Sequence, residues 1–151
     1  MSFEHPNRNN ESMRDVELDI MSRPPEHNTT NLDLDRMNLM LDILGHPEQS
    51  FRVIHITGTN GKGSVVAMIT SVLENAQLRV GRYVSPHLVD YTERIYLCGH
   101  DISREDFAKA ATVVRKAAEE VIAGGVEAPT EFELLTAMAF WYFKEQKVDY
   151  A

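Results

Sequence analysis

Three glycines and one lysine fall within the eight residues Thr57-Gly58-Thr59-Asn60-Gly61-Lys62-Gly63-Ser64, between an apolar segment and an amphipathic one. Glycines let a backbone curl so that successive N–H groups point inward at an anion. A helix that follows presents its positive end, and a lysine reaches the outer phosphates. The segment before the run, Arg52 to Thr57 (RVIHIT), is short, β-branched and apolar on both faces, which predicts a buried strand of a parallel sheet. After the run, Val65, Ile69, Val72, Leu73 and Ala76 mark one helical face, and Arg79 to Val84 (RVGRYV) reads as a second strand. Strand, glycine loop, helix and strand over about thirty residues make one right-handed crossover, which sets both strands parallel in one sheet. The fold class expected is therefore α/β, a parallel-sheet nucleotide-binding domain of the P-loop kind.

The spacing departs from the common phosphate-loop pattern. Ile56 stands where a glycine six residues before Lys62 is required, and Gly63 stands where a hydroxyl residue normally follows the lysine. A glycine-rich turn with one solvated lysine is the plain alternative, and the strand before with the helix after argue against it.

Elsewhere the pattern is mostly helical. Residues 1–31 are rich in Asn, Glu, Arg and Pro, with a weakly amphipathic stretch at Val16, Leu18, Ile20 and Met21, and read as a mobile polar arm with a helical turn or two. Leu34, Met37, Leu41 and Leu44 predict a helix of about three turns that Gly45 and Pro47 stop. Ser85 to Val89 leaves the sheet at its carboxyl edge, and Glu93 to Cys98 with the turn Gly99-His100 forms a short extended excursion. Ser103 and Asp106 start a long helix carrying Phe107, Ala111, Val114, Ala118 and Val121 as far as Gly124-Gly125. Thr130 and Glu133 repeat the capping arrangement before a helix faced by Leu135, Met138, Ala139 and Tyr142, and Val148 to Ala151 opens another strand.

Charge limits the function classes. The 151 residues hold 15 basic and 23 acidic side chains, a formal charge of −8, which argues against general affinity for nucleic acid or an anionic membrane. A phosphate site in such a chain must be local. Apolar runs fall short of the ~18 residues of a spanning helix, and the start MSFEHPNRNNESMRD lacks a secretory apolar stretch, so a cytoplasmic protein is expected. The single cysteine, Cys98, has no internal disulfide partner and no zinc-site spacing around it; it reads as a half-buried thiol in a strand.

Three ordered runs, HITGTNGKGS, VGRYVSPHLVDYTERI and TEFELLTAMAF, resemble the ATPase domain of folylpolyglutamate synthase and dihydrofolate synthase, members of the Mur ligase superfamily. The resemblance covers residues 32–151, and SRPPEH is similar to the amino-terminal lead of some bacterial members. It implies a Mur ligase-like domain of which 32–151 is the first half, incomplete at the carboxyl end, with ATP and Mg2+ as cofactors. It further implies that Gly58, Thr59, Asn60, Gly61, Lys62, Gly63 and Ser64 form the ATP-phosphate loop, with Lys62 as the catalytic cation, and that Ser85 helps hold magnesium. The pterin or folate contacts it implies are Thr30, Asn31, Leu32, His87, Arg94, Thr130, Glu131, Phe132 and Glu133. On the residues alone, Ser85 is an ordinary loop serine, His87 and Arg94 are solvated, Thr130 and Glu133 are a helix cap, and Phe132 is a core residue. Arg82 and Val84 depart from the resemblance, which has an apolar and a small hydroxyl residue there.

The reaction implied is ATP-dependent addition of L-glutamate to dihydropteroate or folate polyglutamates through an acyl phosphate. The partners implied are these small molecules, with no nucleic acid, no membrane and a monomeric state. The resemblance puts a magnesium-ligating glutamate, a later metal-binding histidine, a modified lysine and a closing domain beyond Ala151, so little or no ligase turnover is expected of this chain alone. Two other classes stay open. A different P-loop kinase or regulatory ATPase explains the glycine loop but not SPHL or TEFE, and a non-catalytic fragment keeps the fold without the chemistry.

Overall fold

The computed structural model describes residues 12–24 and 34–151. Its helices are α1 (Met13–Met21), α2 (Asp35–Ile43), α3 (Lys62–Asn75), α4 (Arg104–Ala123) and α5 (Glu131–Glu145). Its strands are β1 (Gly81–Tyr83), β2 (Ile95–Leu97) and β3 (His100–Asp101), and short 3-10 turns occupy Pro47–Ser50 and Tyr91–Arg94. Thr30, Asn31 and Leu32 lie outside the described residues.

The core forms where α4 and α5 meet. Phe107, Ala110, Val114, Ala118 and Val121 recur at three- and four-residue steps along α4 and are buried against Leu134, Leu135, Met138, Tyr142 and Phe143 of α5, the stripe that an amphipathic helix must cover. Met37, Met40 and Leu41 of α2 close one side. The stretch expected as a mobile arm contributes as well. Ser12 caps α1 in a full capping box, and Val16 and Ile20, one turn apart, are each 2% exposed in the same core.

The sheet differs from the expected one. β1, β2 and β3 pair antiparallel in that order, with Gly81 opposite Leu97, Arg82 opposite Tyr96 and Tyr83 opposite Ile95. Among the described residues, parallel pairing is confined to two isolated bridges, in which Tyr150 joins Arg52 on one side and Val80 on the other. The two expected parallel strands are thus separated by the chain's last residues. Arg52 N–H donates to Asp149 C=O at 3.1 Å, Ile54 N–H to Ala151 C=O at 2.9 Å and Gly81 N–H to Tyr150 C=O at 2.9 Å.

Arg52 to Thr57 is accordingly not the buried strand that its composition predicts. It is irregular beyond Arg52, with Val53 57% and Ile54 39% exposed. Alternate residues of an extended segment turn their N–H and C=O groups to opposite edges. Residues 149–151 satisfy Arg52 and Ile54 on one edge, while Val53 and His55 have no backbone partner among the described residues. Helix α3 follows the loop as expected, but its apolar stripe is poorly covered: Ile69 and Leu73 are half-buried, whereas Val65, Val72 and Ala76 are exposed. Cys98 is half-buried as expected, but it sits in the β2–β3 turn with φ 44° rather than in a strand. Among the described residues no helix is long and apolar enough to cross a membrane.

Candidate functional site

The glycine loop owes its shape to two backbone conformations that side chains disfavour. Gly58 has φ 144° and Gly61 φ 76°, and only glycine adopts these without strain. Gly61 caps α3, so the chain turns directly from the loop into the helix at Lys62. The first intrahelical bond there is Val65 N–H to Gly61 C=O at 3.0 Å, which leaves the amides of Lys62, Gly63 and Ser64 without a helical acceptor. Among the described residues no side chain caps them, and no acidic residue stands in the first turn. In α1, α4 and α5, by contrast, Ser12, Ser103 and Thr130 supply cap oxygens and carboxylates occupy the first turn. Every residue from Thr57 to Ser64 is exposed. The Lys62 ammonium folds across the loop mouth and donates to Gly58 C=O at 2.5 Å. Amides without helical acceptors, a helix N-terminus and an exposed cation together are suited to receive an anion.

A cavity of about 400 Å³ opens beside the loop, and His55, Ile56, Val66, Ile69, Ser85, Phe132 and Thr136 are among its walls. It brings Ser85 and Phe132 to one space. Phe132 is 40% exposed rather than the core residue that its position in a helix suggested, because it lies against Tyr83, ring centroids 6.2 Å apart, on the cavity wall.

The loop after Ser85 is tied down by carboxylates. Glu93 accepts the N–H groups of Leu88 at 2.8 Å, Val89 at 2.9 Å and Asp90 at 2.8 Å, and these backbone donors hold its pKa below the ordinary glutamate value. Asp90 accepts from the Thr92 N–H at 2.9 Å and pairs with Arg104; the Thr92 amide is the main cause of its own lowered pKa. A depressed carboxylate pKa means that the clamp is in force above the unfolded-state pKa and is lost as pH falls through the folded one. Hydrogen exchange of Leu88, Val89 and Asp90, corrected for intrinsic rates, should therefore be slow at neutral pH and fast in strong acid. Glu93→Gln should show the fast regime at neutral pH.

His87, Arg94 and Glu131, three of the residues for which the resemblance implies folate contacts, meet one another. Arg94 is buried; its Nε donates to His87 Nδ1 at 2.8 Å and its guanidinium reaches Glu131 at 3.4 Å. Tyr91 completes the cluster. Its hydroxyl donates to Glu131 at 3.2 Å and its ring lies 4.4 Å from that of His87. Burial, reinforced by the Glu131 carboxylate, pushes the Tyr91 phenol up to about 12. Tyr91 and Tyr83 both escaped the sequence reading; for Tyr91 the available signal was an aromatic four residues after His87.

Thr130 and Glu133 form the cap expected from the residues alone. Glu133 N–H donates to Thr130 Oγ1 at 3.2 Å, and Thr130 N–H donates to Glu133 Oε2 at 2.7 Å. Glu133 also takes Arg36 Nε at 3.2 Å, while the same guanidinium reaches Glu127 at 3.1 Å. Among the described residues no group of three or more His, Cys, Asp or Glu could hold a metal ion. Ser85 can offer one oxygen to magnesium, an ion that fills the rest of its shell with phosphate oxygens and water when it arrives on a nucleotide.

No protein-family model matches the chain. Over 118 residues it is 42% identical to the dihydrofolate synthase/folylpolyglutamate synthase of Bacillus subtilis, an alignment that takes in 78% of this chain and 27% of the relative. Among solved structures, Mycobacterium tuberculosis folylpolyglutamate synthase complexed with ADP superposes with a TM-score of 0.85 at 33% identity, covering 92% of this chain and 31% of that one. An FPGS–AMPPCP–folate complex gives a TM-score of 0.86 at 37% identity, covering 93% and 34%. The chain thus spans between about a quarter and a third of the length of these relatives. With likeness in both sequence and backbone falling on the same enzymes, the chain belongs to the folylpolyglutamate synthase/dihydrofolate synthase family.

Proposed function

We propose that this chain is the amino-terminal, nucleotide-binding part of an ATP-dependent amide ligase that adds L-glutamate to dihydropteroate or folate. In this reading residues 1–31 are its lead and residues 32–151 the opening of the ATPase domain. The observation that carries the reading is the Gly61-capped start of α3, where three amides lack acceptors and Lys62 rests on a loop carbonyl that it can leave. Relatives of the same backbone are described in complex with ADP, and with AMPPCP and folate, which supports placing a triphosphate here.

The chemistry asked of these residues is charge neutralisation. A carboxylate is a poor electrophile and must first be phosphorylated, with negative charge spreading over the transferring group. The amides of Lys62, Gly63 and Ser64 would donate to the phosphate oxygens, and Lys62 would exchange the Gly58 carbonyl for the terminal phosphates. Magnesium, when bound with the nucleotide through Ser85, would supply further charge compensation. On the folate side, the wall made by Tyr83 and Phe132 suits a flat ring, and the His87–Arg94–Glu131 cluster offers polar contacts beside it. Since the chain spans so small a share of its relatives, we expect nucleotide binding without appreciable ligase turnover, in a cytoplasmic monomer.

Titration calorimetry with AMPPCP tests this. The chain should bind the analogue, and Lys62→Ala should weaken binding about tenfold, the worth of one charge-assisted contact. Absence of binding by the folded wild-type chain, or equal binding by Lys62→Ala, would overturn it. Rapid ATP hydrolysis with glutamate omitted would instead favour a P-loop ATPase of another kind.

A further inference from the structure

We infer that Tyr96 and Glu74 are positioning residues: they tether the helix that begins at the phosphate loop to the sheet and so set the direction in which the loop faces. This rests on the nucleotide reading above, and its structural half stands apart from it.

The argument starts from strand alternation. Directly opposed residues of an antiparallel pair share a face, so Arg82 and Tyr96 lie on one face of the β1–β2 pair and Gly81, Tyr83, Ile95 and Leu97 on the other. The second face belongs to the core: Ile95 and Leu97 are buried there, and Gly81 lies against Phe143 of α5. The first face meets α3, and it does so through polar atoms. The Tyr96 hydroxyl lies 3.1 Å from Glu74 Oε1 and 3.4 Å from Oε2. The Arg82 guanidinium covers the Tyr96 ring at 4.1 Å from its centroid, a cation–π contact that fixes the ring and accounts for an arginine in a strand.

Apolar packing holds α3 only in part, through half-buried Val66, Ile69 and Leu73. Val65, Met68 and Val72 are 42%, 66% and 68% exposed, and Thr70 is its one buried residue. The Thr70 hydroxyl turns back to the Val66 carbonyl of its own helix at 2.8 Å. Among the described residues, Glu74 to Tyr96 is the one side-chain hydrogen bond from α3 to another strand or helix. Glu74 lies a little over three turns from Lys62, about 18 Å along the axis, so releasing it frees the far end of a lever whose near end is the phosphate loop. Burial and the Glu74 carboxylate both raise the Tyr96 pKa, keeping the phenol protonated as the donor.

Tyr96→Phe removes the hydroxyl and keeps the ring under Arg82. It should speed hydrogen exchange throughout α3, leave α4 and α5 unchanged, and weaken AMPPCP binding about fivefold at an unaltered melting temperature. Glu74→Ala should do the same, and Glu74→Gln, whose amide oxygen still accepts from the phenol, should restore both readouts to near wild type. Unchanged α3 exchange in Tyr96→Phe overturns the tether, as does a Glu74→Gln variant no better than Glu74→Ala. A wild-type chain that fails to bind AMPPCP overturns the nucleotide reading and the positioning role together, whatever the exchange shows.

Discussion

Replacing Glu133 with alanine should cost about 3 kcal/mol of folding stability, most of it from stripping a buried guanidinium of a buried carboxylate partner. The Arg36 side chain is 7% exposed, and both Glu133 oxygens meet its Nε at 3.2 Å. The same carboxylate closes the capping box by accepting the Thr130 N–H at 2.7 Å, and loss of a cap adds about 1 kcal/mol. Denaturant unfolding of the chain measures the sum. Glu127→Ala is the internal control: it touches the same guanidinium, but the Glu127 side chain is 65% exposed, so solvent screens the pair and the loss should stay below about 1 kcal/mol. Equal costs for the two would mean that Arg36 does not depend on Glu133. The roles along TEFE thus differ: Glu133 is committed to the fold, whereas Phe132 stands on the cavity wall and Glu131 in the Arg94 cluster.

Which features can be read from the sequence follows from how local their causes are. The α4 helix is legible because Phe107, Val114, Ala118 and Val121 mark its stripe and Ser103 its start, all within one turn of the effects they produce. The glycine loop is legible for the same reason, since the conformations of Gly58 and Gly61 and the start of α3 are consecutive events. RVIHIT misleads because burial of a strand depends on what covers its two faces and edges, and no feature of those six residues says that Val53 and His55 find no backbone partner among the described residues. α1 misleads in the opposite sense: Val16 and Ile20, with Met13 partly buried beside the same core, dock a helix whose remaining residues look like solvated arm. The tyrosines escape for a third reason. Tyr83 and Tyr96 acquire their roles from cross-strand register and from α5 and α3, so no spacing rule within the sequence singles them out, and Tyr91 takes its role from Glu131, far along the chain.

Gly81→Val should destabilise the chain by about 3 kcal/mol, the upper end of the usual cost of overpacking a filled core. A Cβ on residue 81 would stand 2.5 Å from both Cδ1 and Cε1 of Phe143 and 2.9 Å from Cγ. The ring has little room to withdraw: Phe143 is 1% exposed and meets Phe51 edge-on at 5.9 Å. The glycine here answers a need for space, because β1 runs extended through it. Gly61 presents the opposite case, with φ 76° and nothing within 4 Å of a built Cβ, so alanine there should strain the loop and spare the core. Thermal melts separate the two. Gly81→Val should melt well below wild type, and pairing Gly81→Ala with Phe143→Leu, which removes ring atoms from the clash, should recover part of what Gly81→Ala alone loses. A Gly81→Val chain that melts like wild type would mean that β1 does not rest on α5, and the face assignment that turns Arg82 and Tyr96 toward α3 would fall with it.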